Sequence, residues 1–220
     1  LATGVYLGVP LMVVLQKLSD GMDSFSLLAI PFFILAGSIM AHGGIAQKIV
    51  EFSSILVGWM RGGLASVNIL ASMFFGGISG SSVADTSSIG AIMIPVMEKK
   101  GYDRDFAVNV TITSSTQGII IPPSHNAIIY AWVAGGGVSV ASLFMAGVVP
   151  GVMIGVALLV VSLIISAKRK YPRERMVSFK EALKITRDAF LGLVTAVIII
   201  GGILSGIFTP TESSAIAVVY

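Results

Sequence analysis

The sequence predicts an all-α membrane protein whose hydrophobic segments are broken at two points, and three observations carry that prediction. Hydrophobic residues make up 55% of the chain and charged residues 11%, with a mean hydropathy of +0.94. Soluble domains carry roughly 25% charged residues. Eight of the fourteen Lys and Arg residues fall in one stretch, Ala167–Asp188 (AKRKYPRERMVSFKEALKITRD), while apolar runs flank it. Finally, small polar residues interrupt apolar sequence at Gly77–Ser88 (GISGSSVADTSS) and at Gln117–Asn126 (QGIIIPPSHN). In hydrocarbon every freed backbone group must be satisfied by protein, water or an ion, so polar breaks in apolar helices point to a site.

Composition excludes several classes. Without cysteine there is no disulfide framework, thiolate metal site or cysteine nucleophile. Two histidines are too few for a His-based metal cluster. The pI near 9.3 reflects basic residues beside apolar spans, which topology explains better than nucleic-acid binding. The chain opens on Leu1 with no charged n-region and stops inside the apolar ESSAIAVVY, so an internal piece of a longer protein is expected.

In chain order, Leu1–Leu15 is most of a spanning helix, and Gln16–Ser24, with Asp20 and Asp23, reads as a polar turn. Phe25–Ala41 is a second span in which Pro31 predicts a kink or a docking point. Gly44–Met60 is amphipathic: Gln47, Lys48, Glu51 and Ser54 fall on one side, and Ile45, Ile49, Phe52, Ile55 and Leu56 on the other. That spacing, with Trp59 near its end, suits an interfacial helix. Residues 61–98 form two apolar arms of about 10 to 15 residues, short of the ~20 needed to span. With Arg61 at one base and Lys99, Lys100 and Arg104 at the other, they predict a re-entrant hairpin. The alternative, one long kinked helix, puts the two bases on opposite sides.

Residues 107–133 form a crossing unwound at its middle, because paired prolines cannot continue a helix and Gly118 relaxes the backbone before them. Val138–Ser166 is a long span, Ala167–Asp188 a basic loop and Ala189–Phe208 a clean span, and Thr209–Ser214 (TPTESS) breaks the next one. The positive-inside rule places the basic loop in the cytoplasm. The loop at Glu98–Phe106 then also lies in the cytoplasm, the hairpin opens from that side, and Asp20 and Asp23 face outward.

Both breaks fall near mid-membrane. Discontinuous membrane helices offer freed carbonyls to cations and helix N-termini to anionic groups. Ser79, Ser81 and Ser82 supply hydroxyl and carbonyl oxygens at the hairpin tip, where Gly80 permits a tight backbone; Gly118 and Ile121 supply carbonyls in the crossing. Oxygen-only ligation suits Na⁺ better than a transition metal. Ser124 and Asn126, just past the prolines, are placed to donate to a bound solute. For any single serine, bonding back to its own helix is the commoner role. Asp85 is open to three roles: cation ligand, cap of the second arm, or partner of a base. His125 is a proton shuttle or an ordinary hydrogen-bonding residue. Glu212 in TPTESS fits a helix-start signal. No hydrolase or phosphate-loop motif is present.

In order along the chain, FGGISGSSVADTSSIGAIMIPVMEKKGYD, STQGIIIPPS, LFMAGVVPG and GGILSGIFTPTESSAIAVVY resemble the large membrane subunit of tripartite ATP-independent periplasmic (TRAP) transporters. The likeness extends upstream through LLAIPFFILAG and GLASVNILASMFFGG and covers essentially the whole chain. It implies a Na⁺-driven importer of organic acids in the bacterial inner membrane, working with a small four-helix membrane subunit and a periplasmic substrate-binding protein. It also implies an elevator-type fold of two inverted repeats. Residues 1–43 would be scaffold helices, 44–60 an arm, and 61–137 the mobile part. Residues 138–188 would be a span and its loop, and 189–220 the start of the second repeat. By motif, Ser79, Ser81, Ser82, Gly118, Ile121 and Pro123 would hold the first Na⁺, with Gly80, Pro122 and Asp85 in support, and Ser79 and Ser124 would face substrate. The family's second hairpin, second broken helix and second Na⁺ site lie past Tyr220, so this segment alone is not expected to transport. Competing readings are a proton-coupled relative, an intramembrane serine hydrolase using Ser81 or Ser124, and a passive assembly protein.

Overall fold

The computed structural model describes residues 10–22, 24–135 and 137–220. Its regular elements are helical: α1 (Leu11–Met22), a 3₁₀ turn (Phe25–Leu28), α2 (Ala29–His42), α3 (Ile45–Val57), α4 (Gly63–Ser79), α5 (Ser82–Lys99), α6 (Arg104–Ser115), a second 3₁₀ turn (Thr116–Ile119), α7 (His125–Val133), α8 (Val140–Lys168), α9 (Phe179–Leu204) and α10 (Pro210–Val219). No strand occurs among the described residues, apart from one isolated antiparallel bridge between Arg61 and Arg173. Phe25–His42, α8 and α9 are long and apolar enough to cross a bilayer. The large apolar side chains that α8 leaves exposed, among them Val149, Met153, Val156 and Ile164, suit lipid or further membrane helices. This is an all-α, multi-pass membrane architecture.

The centre of the fold is α4. Fourteen of its seventeen residues are buried, and it packs against α2, α3, α5, α6, α8 and α9. The sequence explains this: Gly63, Ala65, Ser66, Ala71, Ser72, Gly76 and Gly77 give it a small cross-section, which lets neighbouring backbones close in. α3 buries Ala46, Ile49, Val50 and Ser53 against α4 and α9 and exposes Gln47, Lys48 and Glu51. The polar side is as the periodicity predicts, but the buried face is rotated from the predicted one, since of Ile45, Ile49, Phe52, Ile55 and Leu56 only Ile49 is buried and Leu56 is exposed. α10 lies along α2, and the Thr211 hydroxyl donates to the Phe25 carbonyl at 2.7 Å.

Both arms of the residue 61–98 segment return to one end of the molecule. At the start of α4, the Gly62 N–H donates to the Pro172 carbonyl at 3.1 Å; just past the end of α5, Lys100 pairs with Glu174 at 3.1 Å. A single kinked helix is therefore ruled out. The same linker is clasped further: Tyr171 donates to Asp103 at 2.7 Å, Arg169 pairs with the same carboxylate, and Tyr171 stacks on Tyr102 with centroids 4.3 Å apart. The Tyr171 hydroxyl, helped by the Arg169 guanidinium, holds the Asp103 carboxyl below the usual carboxylate range.

Several boundaries differ from expectation. The arms are 17 and 18 residues long, about 25 and 27 Å. The small residues Gly76–Ser79 stay helical, and α4 ends only where Gly80 turns left-handed and donates back to Gly76 at 2.9 Å. Residues 16–22, expected in a polar turn, belong to α1. Much of the basic loop is also helix, because Lys180, Glu181, Lys184 and Arg187 are good helix formers and carry α9 ten residues upstream of Ala189. Pro31 falls in the first turn of α2, directly after the 3₁₀ turn, where proline is tolerated. Residues 1–9 of the first expected span, and Asp23, lie outside the described residues.

Candidate functional site

The two breaks meet. At the tip, Gly80 adopts φ +63°, and Ser81 is the N-cap of α5, its hydroxyl accepting the Ala84 N–H at 3.4 Å. In the crossing, the helix tightens to 3₁₀ over Thr116–Ile119, unwinds through Ile121, Pro122 and Pro123 (the Pro122–Pro123 bond is cis), and restarts with Ser124 as the N-cap of α7. The His125 N–H donates to the Gly80 carbonyl at 3.5 Å, bridging one break to the other.

Glycine makes the approach close enough. A Cβ on Gly76 would stand 2.7 Å from the Gly118 α-carbon, and one on Gly80 would stand 2.6 Å from the Pro123 carbonyl oxygen. The crossing thus presents backbone directly to the tip: Gly118 beside Gly76 and Ser81, Pro122 beside Gly77, Pro123 beside Gly80. Among the described residues, no loop or cap backbone N–H donates to the carbonyls of Gly118, Ile121 or Pro123. Prolines 122 and 123 carry no N–H of their own, so the break exposes acceptors without donors. Such a set of oxygens attracts a cation.

Ser79 is buried at the end of α4, its hydroxyl only 3.5 Å from the Ser81 backbone. Ser82 begins α5 and is half-buried. A cavity of about 320 Å³ opens beside the tip, between α2 and the start of α7, lined in part by Ser38, Ser79, Ser81, Ser87, Ser88 and His125. Ser124 is buried; its hydroxyl donates to the Ile119 carbonyl at 2.6 Å and accepts from Ala127 at 3.3 Å, so it pins the unwound segment. Asn126 is exposed, and neither it nor Ser124 lines that cavity. The His125 ring lies 6.4 Å from the Phe33 ring, and its buried Nε2 has no hydrogen-bond partner.

Asp85 does not cap α5, because Ser81 holds that position. It sits at the end of the first turn, fully buried, with no ion pair among the described residues. Around it runs a polar seam that the sequence reading did not single out. Asn68 donates to Thr111 at 2.7 Å, Ser72 meets Ser114 at 3.1 Å, and Ser115 and Gln117 are buried beside them. The signal was present: Asn68 and Ser72 are four apart on α4, and Thr111, Ser114 and Ser115 follow the same i, i+3, i+4 pattern on α6. At the other break, Thr209 and Glu212 form the reciprocal cap that TPTESS predicts.

The sequence itself belongs to a known set of proteins. The whole chain, residues 1–220, matches the family described as "Tripartite ATP-independent periplasmic transporter, DctM component". It is 47% identical over 208 residues to the uncharacterized protein YgiK of Salmonella typhimurium, covering 94% of this chain and 48% of that protein. It is 46% identical over 196 residues to the C4-dicarboxylate TRAP transporter large permease protein DctM of Vibrio cholerae, covering 89% of this chain and 43% of the relative. It is 43% identical over 205 residues to the sialic acid TRAP transporter large permease protein SiaM of the same species, covering 93% and 48%. The chain spans about half the length of these curated relatives. A match to this family from end to end, in a multi-pass, all-helical chain, identifies it: the chain belongs to the large permease subunits of TRAP transporters.

Proposed function

We propose that this chain forms the first half of the permease of a Na⁺-coupled importer of organic acids, and that the tip and the crossing hold one co-transported Na⁺. The observation that carries this reading is the meeting of the two breaks: the tip backbone at Gly76, Gly77, Gly80 and Ser81 packs against the crossing, where among the described residues the carbonyls of Gly118, Ile121 and Pro123 receive no loop or cap backbone N–H. Such oxygens replace the hydration shell of a hard monovalent ion, and nothing in the set favours a softer metal. Gly80 and Pro122 shape the approach, and Asp85 supports it from the first turn of α5.

Substrate belongs in the cavity beside the tip, where a carboxylate would meet Ser79; Ser124 and Asn126, at the start of α7 but outside the lining of that cavity, would reach it only by a rearrangement on loading. Because the Ser124 hydroxyl is engaged with Ile119, it faces substrate only if that bond opens on loading. The names of the relatives point to C4-dicarboxylates, sialic acid or a related carboxylate. The working transporter would include the rest of the permease, a small four-helix membrane subunit and a periplasmic substrate-binding protein, in the inner membrane of a bacterium. Residues 61–137, a hairpin re-entering from the cytoplasm plus the broken crossing, would move as an elevator. The scaffold would be residues 1–43 with the span and loop of 138–188, residues 44–60 would lie at the interface as an arm, and 189–220 would begin the inverted repeat.

Uptake of labelled organic acids by the complete complex in proteoliposomes, with Na⁺ replaced by K⁺, tests the coupling. Uptake indifferent to Na⁺ and driven by external acid would favour proton coupling instead. Ser81→Ala should raise the Na⁺ concentration needed for half-maximal uptake.

A further inference from the structure

We propose that the cleft between α6 and α8 binds one phospholipid with a zwitterionic, amine-bearing headgroup. Arg104 and Asp105 would read its phosphate and its ammonium, and one acyl chain would lie along the two helices. The inference goes beyond the transport reading above and depends neither on ion coupling nor on the identity of the substrate.

Two cavities make up the cleft, and they share a wall. The deeper one, about 190 Å³, lies against Ile69, Val110, Leu158 and Val161. The outer one, about 620 Å³, lies against Arg104, Asp105 and Arg169, and Phe106, Asn109 and Ile165 line both. An apolar trough therefore runs into a charged mouth. The two helices set its direction. α8 ends at Lys168 with Arg169 after it, and α6 begins at Arg104, so the mouth stands at the membrane surface and the trough at chain depth. Val161, one wall of the trough, is 52% exposed, which opens the trough sideways toward hydrocarbon. A charged mouth, an apolar depth and a lateral opening match a lipid rather than a water-borne ligand.

At the boundary sits Ser162. It is 4% exposed and lines the deeper cavity, and its hydroxyl has no hydrogen-bond partner among the described residues. A helical hydroxyl commonly returns its proton to a carbonyl one turn back, as Ser53, Thr111 and Thr195 do here. Ser162 does not, and a buried donor without an acceptor is costly. It lies seven residues before Arg169, about 10 Å deeper along the helix axis. The interfacial layer on each side of a bilayer is roughly 5–7 Å thick. A lipid anchored by its phosphate at the mouth thus brings its ester carbonyls, which are acceptors, to about the level of Ser162.

The charges at the mouth select the headgroup. Arg169 and Asp103 are already paired with each other. Arg104 touches Glu98 through its Nε at 3.3 Å and its side chain is 80% exposed, which leaves its terminal nitrogens for a phosphate. Asp105 forms no ion pair among the described residues. One cation and one carboxylate, adjacent at the start of α6, are satisfied together by a phosphate and an ammonium. A headgroup that is only anionic puts its charge beside Asp105 with no cation to offset it. A trimethylated amine meets Asp105 without an N–H to donate.

The test uses an otherwise cysteine-free full-length permease in bilayers, with brominated lipids of identical chains as quenching probes. A fluorophore on Val161→Cys reports the trough, and one on Val156→Cys, on the opposite face of α8, reports bulk lipid. At Val161, brominated phosphatidylethanolamine should associate about two- to fivefold more strongly than brominated phosphatidylcholine or phosphatidylglycerol, the worth of one exposed ion pair. At Val156 the three should quench alike. Arg104→Gln with Asp105→Asn should erase the preference at Val161, and because both side chains are exposed the fold should survive. Ser162→Ala should weaken all three lipids at Val161 and leave the headgroup preference in place. Equal association of the three lipids at Val161, or a preference that survives the double substitution, overturns the proposal. So does a Val161 probe that no lipid quenches while Val156 is quenched, because the rest of the permease then fills the cleft.

Discussion

The sharpest consequence of the two breaks meeting concerns Gly76, a residue without polar chemistry. A methyl group there would stand 2.7 Å from the Gly118 α-carbon and 3.1 Å from its nitrogen. Carbon pairs rest at about 3.5–4.0 Å, so the tip arm and the crossing must separate by roughly 1 Å. Neither side can yield by rotating a side chain, because both contacts are backbone. Overpacking of this kind costs about 1–3 kcal/mol, and the gain in helix propensity from Gly to Ala returns at most about 1 kcal/mol. Gly76→Ala should therefore destabilise the permease by about 1–2 kcal/mol and loosen the carbonyl set by a distance comparable to an ion–ligand mismatch. The reciprocal change is milder. A Cβ on Gly118 meets the Gly76 α-carbon at 3.2 Å and the Ser81 carbonyl at 3.5 Å, so Gly118→Ala should destabilise less. Thermal unfolding of the full-length protein, with and without Na⁺, measures both. If Gly76→Ala melts with the unsubstituted protein and keeps its Na⁺ response, the two breaks are not in contact and the site reasoning fails.

Three further outcomes follow from individual contacts. Gly80→Ala forces a Cβ into a left-handed turn and against the Pro123 carbonyl; it should cost more than about 2 kcal/mol, counting roughly 1–2 for the backbone alone, and should abolish Na⁺-dependent stabilisation in the same melting assay. Ser124→Ala removes both the α7 cap and the 2.6 Å bond to Ile119, so stability should fall by about 1–2 kcal/mol even without substrate, which thermal unfolding of the substrate-free permease would show. The depressed pKa of Asp103 makes the clasp on the linker sensitive to acid. An acid whose folded pKa lies below its unfolded value stabilises above the ordinary carboxylate range, near pH 4, and loses that contribution as pH falls through the lower folded pKa. Proteolysis in residues 170–178 by an acid-active protease should accelerate there, with the onset moved to higher pH in Tyr171→Phe.

The parts of this structure that the sequence announced are those written in residue types with one physical meaning. Paired prolines after Gly118 meant an unwound crossing, serines around Gly80 meant a tip, and Thr209 with Glu212 meant a helix start; each stands where expected. The contacts of Gly62 and Lys100 with one linker bring the bases of both arms to one end of the molecule. What stayed hidden depends on partners distant in sequence. Nothing local marks α4 as the central helix, because its glycines and alanines are equally at home on a lipid-facing span. The polar seam was hidden for the same reason: Asn68 gains meaning only when Thr111 is found opposite, 43 positions later. Of the three roles open to Asp85, the cap of the second arm is taken by Ser81.

The way α4 is held bears on how such a body could move. Toward α6 it is fastened by buried hydrogen bonds, Asn68 to Thr111 and Ser72 to Ser114, which cannot be broken in a dry interior without leaving polar atoms unpaired. Toward α8 the contact is different. Gly147, Gly151 and Gly155, spaced by four, face Ile120, Ile121 and the Gln117 and Met73 side chains, a close approach with few interlocking side chains on the α8 side. If hairpin and crossing travel together, the surface of least resistance is this glycine stripe rather than the seam. The linker would limit that travel, because Arg169 and Tyr171, directly after α8, are bonded to Asp103 at the base of the two arms. A shift along α8 therefore has to carry the linker with it or open the clasp. For the first choice, residues 175–178, which have no regular structure between the clasp and α9, are where the chain would take up the displacement while the ion pairs stay closed.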